Sequence, residues 1–401
     1  MTRRRVLFVD DEPRVLRGLR RLLDPMRDEW EISFAESGPE ALDKLAEGEF
    51  DAVVTDMRMP GMDGAELLHE VLRRHPHTVR IVLSGQSDQE TRLRAAGPTH
   101  QFLTKPCDEE TLRRTLTRAC DLRDLLRRDS LRRLVGQLKT LPSLGSVQRD
   151  LRTELMSPDP SMRKVGDLIG QDVAMTAKIL QLVNSSFFGA PKRVASVSEA
   201  VLLLGLNVIR DLMLTESVFG AYLTEGALEL VEPIRDHSEF VGGLAYDIAA
   251  AEGADLQARG DAQLAGQLHD AGALVLAANL PMEFRKAAAV ARQRGIERWQ
   301  GEVEVFSADH GEVGAYLLGI WGIPDPIVEA VAFHHRPAMA PTQGFTPLTA
   351  VHVADALAYE VEASRDDSLL LPSVDEAYLE ALGLTDHLDS WRLLALRRKA
   401  A

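Results

Sequence analysis

Apolar residues follow two regimes along this chain. In the first hundred or so residues they come in short runs rich in β-branched side chains: Val6-Leu7-Phe8-Val9, the stretch 31–35, Val53-Val54-Thr55, Arg80-Ile81-Val82-Leu83 and the stretch 100–104. Between these runs lie segments of helical spacing at 13–23, 39–47, 65–74 and 87–96. Short apolar runs read as strands buried on both faces, and their alternation with helices predicts a doubly wound, five-stranded parallel sheet. From 141 to 387 no strand alternation persists. Segments such as 162–170, 173–184 (with Met175, Ile179, Leu182 and Val183) and 197–222, interrupted by Gly205, repeat apolar residues every three or four positions. This spacing predicts an all-helical second region.

The two regimes are joined by a helical pattern running from 108 to about 139. Leu112, Leu116, Ala119 and Leu126 keep roughly heptad spacing, and Leu131, Leu134 and Leu138 form a second apolar row, with gaps at Arg123 and Ser130. Eight arginines lie between Arg113 and Arg133. One reading is a signalling helix that pairs with its copy in a homodimer; the other is a solvated linker helix. Nucleic-acid binding by the arginines is disfavoured, because Asp121, Asp124 and Asp129 interrupt the charge and no recognition motif accompanies it. The chain so divides into 1–120, a linker 121–138, a helical domain 139–360 and a tail 361–401. Leu141-Pro142-Ser143-Leu144-Gly145 marks the start of the helical domain. The tail has a polar break at Ser364-Arg365-Asp366-Asp367-Ser368, then helical segments ending in Arg397-Arg398-Lys399, and is expected to pack on that domain.

Composition narrows the function classes. A chain of 401 residues exceeds what one core usually serves. No apolar run approaches the roughly 18 residues of a membrane span. The amino-terminal run is four residues long and meets Asp10-Asp11-Glu12, unlike a signal peptide, so a cytoplasmic protein is expected. Cys107 and Cys120 are too few for a disulfide framework and read as reduced thiols on one helix. A net charge of −15 argues against general nucleic-acid binding.

The chemistry of the first region gathers at strand ends. Asp10 and Asp11 close the first strand, Asp56 closes the third before Pro60-Gly61, and Ser84 and Lys105 end the last two. A parallel sheet brings these ends to one crevice, where open α/β folds bind ligands. Clustered carboxylates repel unless a hard cation joins them, and Mg²⁺ is the natural candidate. With a hydroxyl and an ammonium nearby, the site suits a phosphoryl group carried on a carboxylate. In these residues the sequence resembles the receiver domain of two-component response regulators, over roughly 4–120. The resemblance implies that Asp56 accepts phosphate from a histidine kinase. It implies that Asp11, Asp56 and the carbonyl of Arg58 hold Mg²⁺, supported by Asp10. It further implies that Ser84 and Lys105 contact the phosphoryl oxygens, that Phe102 changes rotamer, and that the Lys105-Pro106 bond is cis.

The second region resembles the HDOD domain, an output module related to the HD phosphohydrolase fold, over roughly 139–360. The resemblance rests on Leu141-Pro142-Ser143-Leu144, Leu182-Val183-Asn184-Ser185-Ser186-Phe187-Phe188-Gly189, Val194-Ala195-Ser196, Ala200, Leu204-Gly205 and Leu268-His269-Asp270-Ala271-Gly272. The chain also carries His237, His269-Asp270, His310, His334-His335 and Asp355, residue types that converge on divalent metals in helical bundles. In HD-type hydrolases such an ordered set ligates one or two metals that activate a water for attack on a phosphate. The expected ligands of a first transition metal are His237, His269, Asp270 and Asp355, and those of a second are His310, His334 and His335. Two departures oppose hydrolysis. Ala273 stands where cyclic-dinucleotide hydrolases usually have a lysine, and Arg336-Pro337-Ala338-Met339 replaces their Gly-Tyr-Pro motif. The expectation is a non-catalytic output domain that binds a downstream protein, with a receiver-gated, metal-dependent phosphohydrolase or cyclic-dinucleotide phosphodiesterase as the alternative.

Overall fold

The computed structural model describes residues 3–85, 95–126, 129–138, 141–143, 145–184, 194, 196–214, 225–342, 344–362 and 371–400. The first region is a five-stranded parallel sheet of order β2-β1-β3-β4-β5, formed by β1 (Arg4–Val9), β2 (Trp30–Ala35), β3 (Ala52–Thr55), β4 (Val79–Ser84) and β5 (Gln101–Thr104). Helices α1 (Pro13–Leu22), α2 (Gly38–Glu47), α3 (Gly64–Arg74) and α4 (Glu109–Leu125) cover it. Alternate residues of the strands feed two apolar clusters: Val53 packs with Leu7, Val82 and Phe102 on one face, Val54 with Phe8, Ile81 and Leu103 on the other. That two-sided burial is why the strands read as unbroken apolar runs. Of the helix expected at 87–96, only Ala95 and Ala96 lie among the described residues.

The central pairing positions the crevice. β1 lies between β2 and β3, the point where strand order reverses and ligands bind in open α/β sheets. The register pairs Val9 with Thr55, and the Asp56 amide donates to the Val9 carbonyl at 2.8 Å. Asp10 and Asp56 thereby emerge side by side.

The linker departs from the continuous helix its apolar spacing suggested. Helix α4 ends at Leu125 and a separate α5 (Asp129–Gln137) follows. Leu112, Leu116 and Ala119 belong to the sheet's core, whereas Leu126, Leu131 and Val135 enter the core of the helical domain. One straight helix cannot bury both sets. Leu112, Leu116, Ala119, Leu126 and Leu131 are buried within the chain, and Leu134 and Leu138 are partly buried against the helical core. Gly136 fits tightly here, since a Cβ would stand 2.2 Å from the Pro76 carbonyl oxygen. Cys120 lies on α4 but Cys107 precedes it, so the two thiols do not share one helix.

The second region contains helices and, among the described residues, no strand: α6 (Gly145–Leu155), α7 (Met162–Gly170), α8 (Val173–Asn184), α9 (Val197–Leu214), α10 (Glu225–Ala251), α11 (Leu256–Leu268), α12 (Ala271–Asn279), α13 (Pro281–Arg294), α14 (Arg298–Phe306), α15 (His310–Ile320), α16 (Asp325–Phe333), α17 (Pro347–Glu362), α18 (Glu376–Leu382) and α19 (Leu388–Ala400). Gly205 interrupts α9 with φ 76°, a conformation that favours glycine, and the rest of the apolar stretch up to 222 lies outside the described residues. Helix α19 seats Trp391 in the core and pairs Arg398 with Asp247 of α10 at 2.8 Å.

The two regions share a polar seam. Lys178 and Gln181 of α8 donate to the carbonyls of Ala96 (2.6 Å) and His100 (2.9 Å), just ahead of β5. Gln101 donates to the Gly319 carbonyl at 3.3 Å, and Arg118 of α4 pairs with Asp325 at 2.8 Å. Beneath them Arg80, 1% exposed, gives its guanidinium to the carbonyls of Pro76, Thr78, Pro98 and Gly136.

Candidate functional site

At the sheet's carboxyl edge, Lys105 reaches back across the crevice. Its ammonium lies 2.5 Å from Asp10 Oδ2 and also hydrogen-bonds Asp56 Oδ1. Burial pulls this ammonium down, but the bonds to Asp10 and Asp56 outweigh it and raise its pKa. The second oxygen of Asp56 accepts the Arg58 amide at 2.6 Å, so the loop after β3 folds back over the carboxylate. Asp10 accepts the Glu12 amide at 3.0 Å. Asp11 follows at the same strand end, partly exposed. Phe102 is buried in the face cluster with Met57 and Val82. Ser84 ends β4; its side chain lies outside the described residues. The Lys105-Pro106 bond is cis. Carboxylates already gathered around a cation fit a hard divalent ion, and receiver domains generally bind Mg²⁺.

The second site is built from the ends and inner faces of six helices. His237 comes from α10, His269 and Asp270 from the junction of α11 and α12, His310 from the first turn of α15, His334 and His335 from the end of α16, and Asp355 from α17. Their ligand atoms form three overlapping groups, each within 4.8 Å: His237, His269 and Asp355; His269, Asp270 and His334; His310, His334 and His335. The separate ligand sets expected from sequence are one continuous cluster. Asp270 joins its halves, with Oδ1 3.1 Å from His310 Nε2 and Oδ2 3.6 Å from His269 Nε2.

The ring orientations are fixed from behind. His269 Nδ1 meets the Gly266 carbonyl at 2.7 Å and His334 Nδ1 the Val331 carbonyl at 2.8 Å. A carbonyl accepts only from N–H, so in both rings Nδ1 carries a proton and Nε2 is the nitrogen turned toward the cluster. His310 Nε2 is 3.2 Å from His334 Nε2 and 3.0 Å from His335 Nε2. Without an ion, one proton on His310 would serve three acceptors, the third being Asp270. A cation of higher coordination satisfies all of them, and imidazole with carboxylate suits a transition metal. The charges agree. Burial pulls His334 down to about 3, helped by His269 and His310. Burial opposes charge on His310 too, yet Glu302 and Asp270 push it up to about 9. Asp270, raised by burial, is held at about 2 by His269, His310 and His237. Glu302, absent from the sequence reading, backs His310 at 2.6 Å. Trp299 stacks on His335 with ring centroids 6.1 Å apart, beside the least buried ligand.

A receiver-type acidic crevice on a parallel sheet, followed by a helical bundle with an HD-type histidine–aspartate set, defines a signalling protein with an HD-related output half. The comparisons agree with that class. Residues 6–117 match the response regulator receiver domain and residues 141–337 the HDOD domain. The chain is 33% identical to the signal receiver domain of an HD domain-containing protein from Pseudomonas fluorescens, covering 30% of this chain and 96% of that one at TM-score 0.29. It is 28% identical to an uncharacterized protein of Treponema pallidum over 54% of this chain and 41% of that protein. It is 35% identical to the hydrogenase transcriptional regulatory protein HoxA of Cupriavidus necator over 34% of this chain and 27% of that protein. These alignments span less than half the length of either curated relative. The chain belongs to the response regulators, with a receiver domain and an HDOD domain. Among the described residues no helix is long and apolar enough to cross a membrane.

Proposed function

We propose that the receiver is phosphorylated on Asp56 by a sensor histidine kinase in a cytoplasmic phosphorelay, and that the HDOD half carries the signal to a protein partner without catalysis. The observation that carries this reading is the Lys105 ammonium bridging Asp10 and Asp56 at the edge of the sheet. An Asp56 oxygen attacks phosphorus, the phosphorus–nitrogen bond to the kinase histidine breaks, and the histidine nitrogen keeps the electron pair. Asp10, Asp11, Asp56 and the Arg58 carbonyl would hold Mg²⁺, which neutralises charge on the transferred group. Lys105 then leaves Asp10 for the phosphoryl oxygens, with Ser84 as its partner, and Phe102 follows. Because Lys105 ends the segment whose preceding residues, His100 and Gln101, bond to the helical domain, its displacement pulls on that contact. Asp56→Asn is expected to abolish labelling by acetyl phosphate with Mg²⁺; persistent labelling would overturn the assignment.

A second reading is favoured by the seven-residue cluster: the HDOD half is a metal centre, and a phosphohydrolase if it turns over. A bound transition metal supplies an activated water. Ala273, buried in α12, leaves no lysine at the position that contacts phosphate in cyclic-dinucleotide hydrolases. Hydrolysis of cyclic dinucleotides with added Mn²⁺ or Fe²⁺ decides between a catalytic centre and a metal-bearing binding module.

A further inference from the structure

Glu302 has no exposed surface, and an ionised carboxylate in so dry a place costs several kcal/mol unless its oxygens are fully engaged. Its Oε2 accepts the His310 backbone amide at 2.9 Å and faces His310 Nδ1 at 2.6 Å. Its Oε1 makes no hydrogen bond and has only the charge of Arg298, one turn earlier on α14, with Nε 3.4 Å away. A plain ion pair with Arg298 would not require the other oxygen to sit behind a histidine ring. His269 and His334 are held by neutral backbone carbonyls, whereas His310 is held by an anion. His310 is also the ring whose Nε2 stands within 3.2 Å of three other ligand atoms, those of Asp270, His334 and His335. The most demanding position in the cluster has the strongest backing.

We infer that Glu302 is a positioning residue for the metal centre: through Nδ1 it locks the His310 ring with Nε2 inward and makes that nitrogen the strongest imidazole donor of the half-site formed with Asp270, His334 and His335. A carboxylate hydrogen-bonded to the far nitrogen of a ligand histidine fixes its tautomer and raises its basicity. The inference rests on the reading of the cluster as a metal centre. Glu302 touches neither substrate nor metal, and its effect passes entirely through His310. Behind His335 the carboxylate oxygen Asp355 Oδ2 stands 3.9 Å from Nδ1, well beyond the 2.6 Å at His310, and the ring is packed against Trp299.

The test uses the full-length protein, loaded with Co²⁺ or Zn²⁺ alone and titrated against a competing chelator. Glu302→Gln keeps an acceptor for Nδ1–H but removes the charge, and Glu302→Asp keeps the charge but draws it back. The expected result is a loss of roughly 10- to 100-fold in affinity at one half-site in the Gln variant, with a changed Co²⁺ visible spectrum and partial recovery in the Asp variant. Wild-type affinity and spectrum in a folded Glu302→Gln would reduce Glu302 to a structural ion pair and overturn the inference. Should the variants not fold, long-range nitrogen–proton correlations of the Zn²⁺-loaded wild type decide: Nε2 ligation with a protonated Nδ1 at His310 supports it, and Nδ1 ligation overturns it. A wild type that takes up no metal would sink the metal-centre reading itself, a result distinct from all of these.

Discussion

The two polar clusters of this molecule are neutralised in opposite ways. In the receiver, Asp10 and Asp56 are bridged by one flexible ammonium, that of Lys105 just after β5, whose side chain keeps about a quarter of its surface exposed. In the HDOD half, imidazoles and carboxylates balance one another inside the fold, and His269 and His334 are anchored through Nδ1 to backbone carbonyls of their own helices. A neutraliser on a long, rotatable stem can leave when a metal ion and a phosphoryl group arrive. Rings clamped by their own backbone cannot. The receiver crevice is built to exchange its counter-ion, and the histidine cluster to keep whatever it holds.

The largest expected effect tests the second half of that contrast. Replacing His269 and Asp270 by alanine removes the members that join both ends of the cluster. Purified wild type is expected to carry near-stoichiometric transition metal that survives dialysis, and the double variant none. Equal, negligible metal in both proteins would leave the cluster a hydrogen-bonded scaffold, and the contrast would then lie between two metal-free networks.

A smaller effect tests the first half. In Lys105→Met the crevice loses its resident cation and the two carboxylates face each other, which should cost about 1–3 kcal/mol of receiver stability in the presence of a chelator. Mg²⁺ should restore this, and should bind the variant more tightly than wild type, where it must first displace the ammonium. Thermal unfolding with and without Mg²⁺ reads both. Equal Mg²⁺ stabilisation of the two proteins would mean that Lys105 and the metal do not compete, and the crevice would not be the exchange site described.

How much of this was legible in the sequence differs between the halves for a physical reason. Asp10, Asp56 and Lys105 end strands, and in a parallel sheet the end of each apolar run fixes its place relative to the others. The helical ligands were legible as an ordered series, but residues on six helices can be grouped in many ways, and the merging of two sets through Asp270 depends on packing between helices. Glu302 was missed because a glutamate beside Arg298 reads as a surface pair. A signal existed: Trp299 and Phe306 lie three residues before and four after it, so Glu302 falls on the apolar stripe of α14, where a lone carboxylate calls for a buried partner. The break after Leu125 had only a weak local signal, the gaps at Arg123 and Ser130 and the change of apolar row between them, because what separates the two helices is that their apolar residues enter two different cores.

The smallest effect concerns the polar seam between the two regions. Lys178 is fully buried, its ammonium bonded to the Ala96 carbonyl and 5.9 Å from the Trp321 ring, with His100 a titratable neighbour across the seam. Burial pulls its pKa from 10.5 down to about 7. Above that value the folded chain holds a neutral amine while the unfolded chain still binds the proton. The unfolded state therefore carries more protons between about pH 7 and the ordinary lysine range, and stability from this group rises with pH across that window, by at most about 1.4 kcal/mol per unit. Below pH 7 both states are charged and the slope vanishes. Lys178→Met should lose this rise, so the gap between the two denaturation curves should change from pH 7 to 9 and stay constant from pH 5.5 to 6.5. Parallel curves throughout would show that Lys178 stays charged in the fold, and the seam would then be wetter, and looser as a relay, than its burial implies.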